Sequence, residues 1–525
     1  MFRSDRASSP ASSLTFLLTL TTFLFAGLAA ASAQANSDIV TKLGFTQREL
    51  SLGTASYNNG SGDSVITGDF NNDGILDVVT IGGTPTGDVA SFFKGLGGGK
   101  FSTTPVNSPI NVSNQTGVGG PAFGADFNGD GKLDLAIASG PVCCGQLGPV
   151  TILLGNGDGA FTMGESITVS TGSGTGQAAA IALADFNGDH KPDIAISDGT
   201  DGYTWIYLGK GDGTFTLANT QKYGGNSLVV GDFNADGKQD VAYASGYGDG
   251  SGNTVGMFLG NGNGTLNPPL RATVNAVTGL AVGDFYNDRI QSLAVLYATG
   301  PVDGNDTTFV ETLRYSNGQL QVGSSTQVTQ PVAEGPINIA GGDLNGDFID
   351  DVFISGGGYY GGPYSEYMIG NGNGSFQAPQ NAPYDKQGTT FSYPIIRDMN
   401  LDSLHDVSMA WLNVEDDNGG GDVLINDNAR GNCNPPAANA LSVNICVPKS
   451  GAVVGKTYTF RGAGNAFNGI AKRMELWIDG KKIGQNLEDQ LNVTTTLEPG
   501  AHTASFIVVD SFDSYTSKSV TFTAN

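Results

Sequence analysis

Residues 126–134 read Asp126-Phe-Asn-Gly-Asp-Gly-Lys-Leu-Asp134, with acids at the first, fifth and ninth positions and an asparagine at the third. Related loops begin at Asp69, Asp185, Asp232, Asp284, Asp343 and Asp398, and in chain order we call the whole set loops 1 to 7. Carboxylates gathered into nine residues repel one another unless a hard cation lies between them. The motif therefore predicts a turn that joins two strands and holds a divalent ion.

The loops recur with a period that defines the fold. They start 47 to 59 residues apart, which indicates stacked supersecondary units. Apolar strands enter and leave each loop, as in Ile181–Asp185 and Asp193–Ser197. A third strand ends in a glycine-rich turn such as Gly209–Phe215, and a more polar fourth strand follows. Four antiparallel strands per unit are typical of a propeller blade, so the sequence predicts an all-β, seven-bladed β-propeller over residues 41–430.

Closure of the ring is predicted from the two ends of this region. The seventh unit has only three strands before the chain leaves it, whereas Phe45–Leu52 precedes loop 1 and resembles a fourth strand. We expect this segment to complete the last blade, which would remove an open sheet edge. A loose N-terminal extension is the alternative.

A second domain is predicted after a linker at residues 431–440. Glycine becomes sparser there, strand signals continue to the C-terminus, and Asp479-Gly480 is a hairpin turn. Residues 441–525 are therefore predicted to form an immunoglobulin-type β-sandwich. Cys433 and Cys446 flank the junction and are consistent with a short disulfide in an exported protein.

The N-terminus predicts export. Arg3 and Arg6 precede an apolar run and the small residues Ala31–Ala33, as in a secretory signal peptide over residues 1–33. An uncleaved membrane anchor is the alternative, and no later stretch reaches the ~18 apolar residues of a spanning helix. We expect a monomer without a membrane span that is secreted, periplasmic or at the cell surface. The adjacent Cys143 and Cys144 are either free thiols or a strained vicinal disulfide.

The charge balance argues against nucleic acid as a partner. The net charge is −25, and phosphate backbones need lysine and arginine. Of the 50 acids, 20 occupy the first, fifth and ninth positions of the seven loops. The acidity is therefore interpreted mainly as an inventory of metal ligands.

These loops resemble the FG-GAP/VCBS repeats of integrin-α-type β-propellers, and the resemblance covers about residues 60–410. It implies Ca²⁺ coordination by the side chains at positions one, three, five and nine, with the backbone carbonyl of position seven. The implied side-chain ligands are Asp69, Asn71, Asp73, Asp77, Asp126, Asn128, Asp130, Asp134, Asp185, Asn187, Asp189, Asp193, Asp232, Asn234, Asp236, Asp240, Asp343, Asn345, Asp347, Asp351, Asp398, Asn400, Asp402 and Asp406. Residues 441–525 look like bacterial Ig-like modules.

The loops are unequal. Loop 5 is degenerate, because Tyr286 replaces the amide and Ser292 replaces the last acid, so about six calcium sites are expected. Gly74, Gly131 and Gly237 occupy position six, where a left-handed backbone is wanted. An EF-hand is disfavoured because its twelfth-position glutamate is missing. Asx turns without metal are the remaining alternative.

No catalytic constellation stands out in the sequence. The histidines at 190, 405 and 502 are interpreted as loop and surface-strand residues, and calcium is expected to be structural. The variable connections between second and third strands include Gly358–Tyr364, whose tyrosines suit contact with a sugar or protein. The predicted function is an adhesion or carbohydrate/protein-binding module, with the C-terminal segment as spacer or second contact. A secreted polysaccharide-degrading lyase or hydrolase is the alternative.

Overall fold

The computed structural model describes much of the chain after residue 42. The described residues are 43–51, 64–84, 87–110, 118–139, 149–171, 174–175, 180–199, 201–245, 253–274, 276–299, 307–329, 337–358, 362–382, 389–391, 394–413, 418–426, 433–467 and 470–525. All regular structure within these ranges is β-strand, and no helix occurs in them, which confirms the all-β prediction. The predicted signal peptide, Cys143, Cys144, Tyr359 and Tyr360 lie outside the described residues.

The first part of the chain is built from small antiparallel sheets. Its strands are β1 (Phe45–Ser51), β2 (Ser64–Gly68), β3 (Asp77–Thr84), β4 (Gly87–Phe93), β5 (Gly95–Gly97), β6 (Lys100–Phe101), β7 (Val106–Ile110), β8 (Val118–Ala125), β9 (Asp134–Ser139), β10 (Val150–Gly155), β11 (Phe161–Ile167), β12 (Ser170–Thr171), β13 (Gly174–Thr175), β14 (Ala180–Ala184), β15 (Asp193–Asp198), β16 (Tyr203–Gly209), β17 (Phe215–Lys222), β18 (Ser227–Gly231), β19 (Asp240–Ser245), β20 (Thr254–Phe258), β21 (Leu270–Thr273), β22 (Val277–Gly283), β23 (Ser292–Ala298), β24 (Thr308–Ser316), β25 (Gln319–Gln327), β26 (Ile337–Gly342), β27 (Asp351–Gly358), β28 (Gly362–Met368), β29 (Gln380–Asn381), β30 (Thr389–Phe391), β31 (Ile395–Arg397), β32 (Asp406–Asn413) and β33 (Asn418–Asn426).

Seven sheets in the described ranges follow one plan, and we number them 1 to 7. Sheets 1 to 6 have the orders β2-β3-β4-β7, β8-β9-β10-β11, β14-β15-β16-β17, β18-β19-β20-β21, β22-β23-β24-β25 and β26-β27-β28-β29. Sheet 7 has the order β1-β33-β32-β30, and β31 also pairs with β32. First strands of successive sheets contact one another, and β32 contacts β2. The contacts therefore run from sheet to sheet and back to the start.

Burial explains the near-continuous apolar runs of the second strands. Every residue of β15 and β19 is buried, because neighbouring sheets cover both faces. The fourth strand β17 is exposed along most of its length. One core cluster joins Ala136 of sheet 2 with Ile194 of sheet 3, so the apolar core lies between sheets.

The N-terminal strand lies in sheet 7, as the sequence predicted. β1 pairs antiparallel with β33, from Phe45 opposite Asn426 to Ser51 opposite Gly420. Leu50 is buried in a cluster with Val65 of sheet 1. The segment is therefore a fourth strand rather than a loose extension.

The last part of the chain, residues 441–525, is called the C-terminal module. Its strands are β34 (Ser442–Val447), β35 (Ala452–Val454), β36 (Thr457–Asn465), β37 (Ala471–Ile478), β38 (Lys481–Asn486), β39 (Gln490–Thr496), β40 (Gly500–Asp510) and β41 (Tyr515–Ala524). They form two sheets, β34-β36-β39 and β35-β41-β40-β37-β38, which share a core around Phe460, Leu476 and Phe506. A disulfide joins Cys433 to Cys446 at its entrance.

Candidate metal centre: seven loops on one end of the sheets

Each loop joins the first and second strands of its sheet, and its ninth residue opens the second strand. Asp77, Asp134 and Asp193, for example, begin β3, β9 and β15. The glycine-rich turns after the third strands lie at the same end, since Gly95 N–H donates to Asp77 at 2.7 Å. The structure thus gathers the predicted ligands of each loop within one turn.

The backbone takes the left-handed conformation at positions four and six of every loop. Position six was predicted to do so, and it includes residues with side chains, such as His190 (φ 62°) and Phe348 (φ 67°). Position four was missed, although Gly129 and Gly188 stand there in loops 2 and 3. Ala235 (φ 59°) shows that the conformation is kept even without glycine.

Hydrogen bonds from the loop backbone to the acids hold this conformation. In loop 1, Asp69 accepts the N–H groups of Asp73 at 3.0 Å and Gly74 at 2.7 Å. Asn71 Oδ1 also accepts from Asp73 N–H, and Asp73 Oδ1 accepts from Ile75 N–H, both at 3.0 Å. The first acid accepts from positions five and six in all seven loops.

The ninth residue clamps the loop to the third strand. In loop 3, Asp193 Oδ2 accepts from Phe186 N–H and Oδ1 from Gly209 N–H, both at 2.8 Å. The same pair of bonds recurs in the other five loops that end in aspartate. The ninth acid therefore has a structural role that the ligand pattern alone does not reveal.

Burial dominates the electrostatics of this ninth acid. Burial raises the pKa of the ninth acid to about 7, although the N–H donors lower it. This holds for Asp77, Asp134, Asp193 and Asp240. Burial likewise raises the pKa of Asp351 and Asp406. The loops therefore hold carboxylates whose negative charge is poorly solvated, a state that a nearby cation relieves.

Lysines meet the fifth acid at the rim of loops 1 to 4. Lys94 Nζ lies 3.0 Å from Asp73 Oδ2, and Lys238 Nζ lies 3.3 Å from Asp236 Oδ2. Both partners are partly exposed, and exposed pairs of this kind contribute about 0–1 kcal/mol. The lysines are therefore easily displaced.

Loop 5 differs in the way that its sequence predicted. Ser292 Oγ donates to Gly283 O at 3.0 Å, and Tyr286 Oη lies 3.0 Å from Thr312 Oγ1. The Arg314 guanidinium lies over the Tyr286 ring at 4.5 Å and 3.8 Å from Asp288. A side-chain cation thus lies beside the loop that has lost two ligand positions.

The donors of the other six loops suit a hard cation in kind but are not assembled around one. Carboxylate and amide oxygens are what Ca²⁺ prefers, and a carboxylate that accepts two N–H groups keeps about two further lone-pair positions. In the described part of the chain, no three His, Cys, Asp or Glu side chains are arranged to hold a metal ion. Binding would therefore require small side-chain movements within the loops.

The C-terminal module packs onto these loops rather than standing apart as a spacer. Phe512 is buried in a cluster with Phe127 and Phe215, while Phe467 packs against the cluster that contains Phe70. His190 Nδ1 lies 3.2 Å from Phe512 O. Apolar side chains on the module's loops explain this docking, which the sequence analysis did not find.

Polar contacts from the module, and from residues 433–440 just before it, reach loops 1 and 7. Ala438 N–H donates to Gly74 O at 3.1 Å, and Ser403 Oγ donates to Cys433 O at 2.7 Å. His405 Nε2 lies 3.5 Å from Asp489 Oδ1. His405 was interpreted as a loop residue of no special role, but it joins the module to loop 7.

Three overlapping segments of the chain are similar to a known repeat family. The model of the FG-GAP-like repeat family matches residues 69–137, 126–196 and 185–243. Each match begins at the first acid of loop 1, 2 or 3 and ends in the second strand of the following sheet. No curated protein matches the chain. No helix in the described residues is long and apolar enough to cross a membrane.

Three solved structures are similar to this chain to different extents. The fibronectin(III)-like modules of Clostridium thermocellum CbhA are 23% identical over 16% of this chain and 97% of theirs, with a TM-score of 0.15. A Lactobacillus plantarum protein is 10% identical over 61% of this chain and 83% of its own, with a TM-score of 0.42. The extracellular domain of a putative hybrid two-component system from B. thetaiotaomicron is 10% identical over 91% and 56%, with a TM-score of 0.34. All three scores lie below 0.5, so the fold rests on the sheets described above.

Proposed function

We propose that the protein is an exported binding module in which the seven sheets are the blades of a β-propeller and Ca²⁺ stabilises loops 1 to 4, 6 and 7. The C-terminal module is then an Ig-like sandwich. The observation that carries the proposal is the repeated loop frame, which brings the first and fifth acids and the third-position asparagine of loops 1 to 4, 6 and 7 into one turn. Bound calcium would neutralise these acids and tie the first two strands of each blade together.

Loop 5 supports the assignment as an internal contrast. Where the amide and the last acid are missing, Arg314 lies beside Asp288 and Tyr286. Loops 1 to 4 also have a basic side chain beside the fifth acid, so the contrast lies in the two ligand positions that loop 5 has lost. We therefore infer six calcium loops and one loop, loop 5, without calcium.

The disulfide supports export. Cys433 and Cys446 are bonded, and disulfides persist mainly in oxidising compartments outside the cytosol. The matched family segments are all repeats of FG-GAP type. Both observations favour a secreted, periplasmic or cell-surface protein.

The docking of the C-terminal module decides which end of the sheets would meet a ligand. Because the module covers the loop end, we infer that a protein or glycan binds at the opposite end, where second and third strands are connected. Those connections vary most between the repeats in length and composition. Calcium would then act on the ligand site only through the stability of the blades.

A matched pair of variants tests calcium binding. Asp130→Ala in loop 2 and Asp288→Ala in loop 5 each remove an exposed fifth-position acid. We expect Asp130→Ala to lower the calcium content of the dialysed protein by about one ion, and Asp288→Ala to leave it unchanged. Wild-type protein without bound calcium, or equal effects of the two variants, would refute the assignment.

The binding role needs a separate experiment. The mature protein, loaded with calcium, would be applied to a glycan array and to immobilised extracellular proteins. Saturable binding supports a recognition module. A blank array together with a fall in the viscosity of a polysaccharide solution would instead support the enzyme alternative.

A further inference from the structure

We propose that Glu488 of the C-terminal module is a positioning residue of loop 6, so that this loop is complete only when the module is docked. The expected effect on calcium binding by loop 6 rests on the proposed function. The positioning role itself rests only on hydrogen bonds. The inference assigns a role in the loops to a residue that lies 137 positions beyond the last residue of loop 6.

A hydrogen-bond relay connects loop 4 to loop 5 and loop 5 to loop 6. In loops 5 and 6, the side chain of the eighth residue accepts a hydrogen bond from the backbone N–H of the first residue of the loop before it. Gln291 Oε1 accepts from Asp232 N–H at 2.8 Å, and Asp350 Oδ2 accepts in the same way from Asp284 N–H. These bonds fix the residue from which the first acid of loops 4 and 5 projects.

The relay changes at loop 6. The eighth residue of loop 7 is His405, and Asp343 N–H donates instead to Glu488 Oε1 at 3.0 Å. Glu488 comes from the segment between β38 and β39, on the C-terminal module. The module thus supplies to loop 6 the acceptor that loops 4 and 5 receive from the next sheet.

His405 holds the supplying segment in place. Its Nδ1 lies 3.9 Å from Glu488 Oε2, and its Nε2 lies 3.5 Å from Asp489 Oδ1. Arg397, immediately before loop 7, donates to Ala466 O of the module at 3.5 Å and to Thr67 O at 3.0 Å. His405 and Arg397 therefore bind the module rather than loop 6 directly.

Docking of the module also brings acidic side chains together near loop 6, which connects docking to calcium binding. Glu488 lies beside Asp343 through its hydrogen bond, and Asp350 is close to both of them. These acids outnumber the basic side chains beside them, His405 and Arg397, so they repel one another, and a divalent ion in loop 6 reduces that repulsion. Because linkage is reciprocal, calcium in loop 6 should strengthen docking of the module, and docking should strengthen calcium binding.

Hydrogen exchange tests the positioning role without any metal. Glu488→Ala removes the acceptor, whereas Glu488→Gln keeps an amide oxygen there. In chelator, we expect Glu488→Ala to raise exchange in a peptide spanning loop 6 about tenfold, and Glu488→Gln to stay near wild type. The exposed Glu498→Ala, in the same module, is the matched control and should change nothing.

Calcium titration tests the consequence. We expect Glu488→Ala to weaken one of the wild-type sites about tenfold and to leave the others unchanged. Unchanged exchange in loop 6, or a rise that extends equally to a peptide spanning loop 2, would overturn the positioning role. Wild-type protein that binds no calcium would instead refute the proposed function, while the exchange result would still decide the role of Glu488.

Discussion

Gln47 donates a hydrogen bond from Nε2 to Oδ2 of Asp422 at 3.1 Å, across 375 positions of sequence. The two residues lie on β1 and β33, which are paired along seven residues. This pairing joins the first described strand of the chain to the last strand of the repeat region. The stability of sheet 7 therefore depends on the N-terminal segment.

Truncation of Leu50 should weaken this junction. Its side chain is 4% exposed and packs with Val65 and Val78 of sheet 1. Leu50→Ala leaves a cavity, so we expect a loss of about 2–5 kcal/mol in the free energy of unfolding measured with denaturant. Leu96→Ala, at a site that is 58% exposed, should cost less than about 0.5 kcal/mol. Equal losses would show that β1 is not part of the packed structure.

Loss of the ninth-position clamp should destabilise the protein even without calcium. Asp193→Ala leaves the N–H groups of Phe186 and Gly209 buried without their acceptors. Each unsatisfied group costs about 1–3 kcal/mol, so we expect a clear fall in melting temperature in excess chelator. The exposed Asp189→Ala in the same loop should cost much less under that condition. A similar result for both variants would mean that the clamp contributes nothing beyond metal ligation.

Glu475 should make the C-terminal module sensitive to acid. Burial alone would raise its pKa, but hydrogen bonds from Arg473, Lys482 and Trp477 lower it to about 2 from 4.5. A depressed folded-state pKa gives stability that is present above about pH 4.5 and is lost as the pH falls toward 2.

The variant Glu475→Gln isolates that effect from the titration of the other acids. In chelator at about pH 6, we expect it to be less stable than wild type by about 1–3 kcal/mol. The difference should shrink as the pH approaches about 2, when the native glutamate is itself protonated. A difference independent of pH, measured by denaturant unfolding, would show that the charge of Glu475 is not what stabilises the cluster.

Removal of the disulfide should loosen the entrance of the C-terminal module. The bond closes a loop with a sequence separation of 13, for which the chain-entropy model gives a contribution of about 3 kcal/mol. We expect the double variant Cys433→Ser/Cys446→Ser to melt at a lower temperature by several degrees. Wild-type protein in reductant should approach the melting temperature of the double variant. If neither the substitutions nor the reductant lowered the melting temperature, the expectation would be wrong.

Sequence patterns predicted the strands and loops well because those signals are local. Alternation and turn residues place β14, loop 3 and β15 within one residue of their structural bounds. Position four of the loops was missed because residues such as Ala235 and Leu401 give no left-handed signal. Their conformation is fixed by the backbone hydrogen bonds to the first and third residues of the loop.

The docking of the C-terminal module was beyond such patterns. Phe512 and Glu488 lie in connections between strands, where a single aromatic or acidic residue has no periodicity to interpret. Their partners are more than a hundred residues away, so only the assembled surfaces bring them together. Likewise β38, with the sequence Lys-Lys-Ile-Gly-Gln-Asn, lacks an apolar alternation and was not predicted.

The seating of Phe512 among Phe127 and Phe215 has an evolutionary consequence. Exported proteins often exchange whole domains by recombination, and a freely tethered tail is easily traded for another. Here a different C-terminal domain would need an aromatic side chain in the place of Phe512. Without one, Phe127 and Phe215 would be exposed to water. The two regions are therefore expected to be inherited together, and substitutions on one side of their boundary to be followed by compensating substitutions on the other.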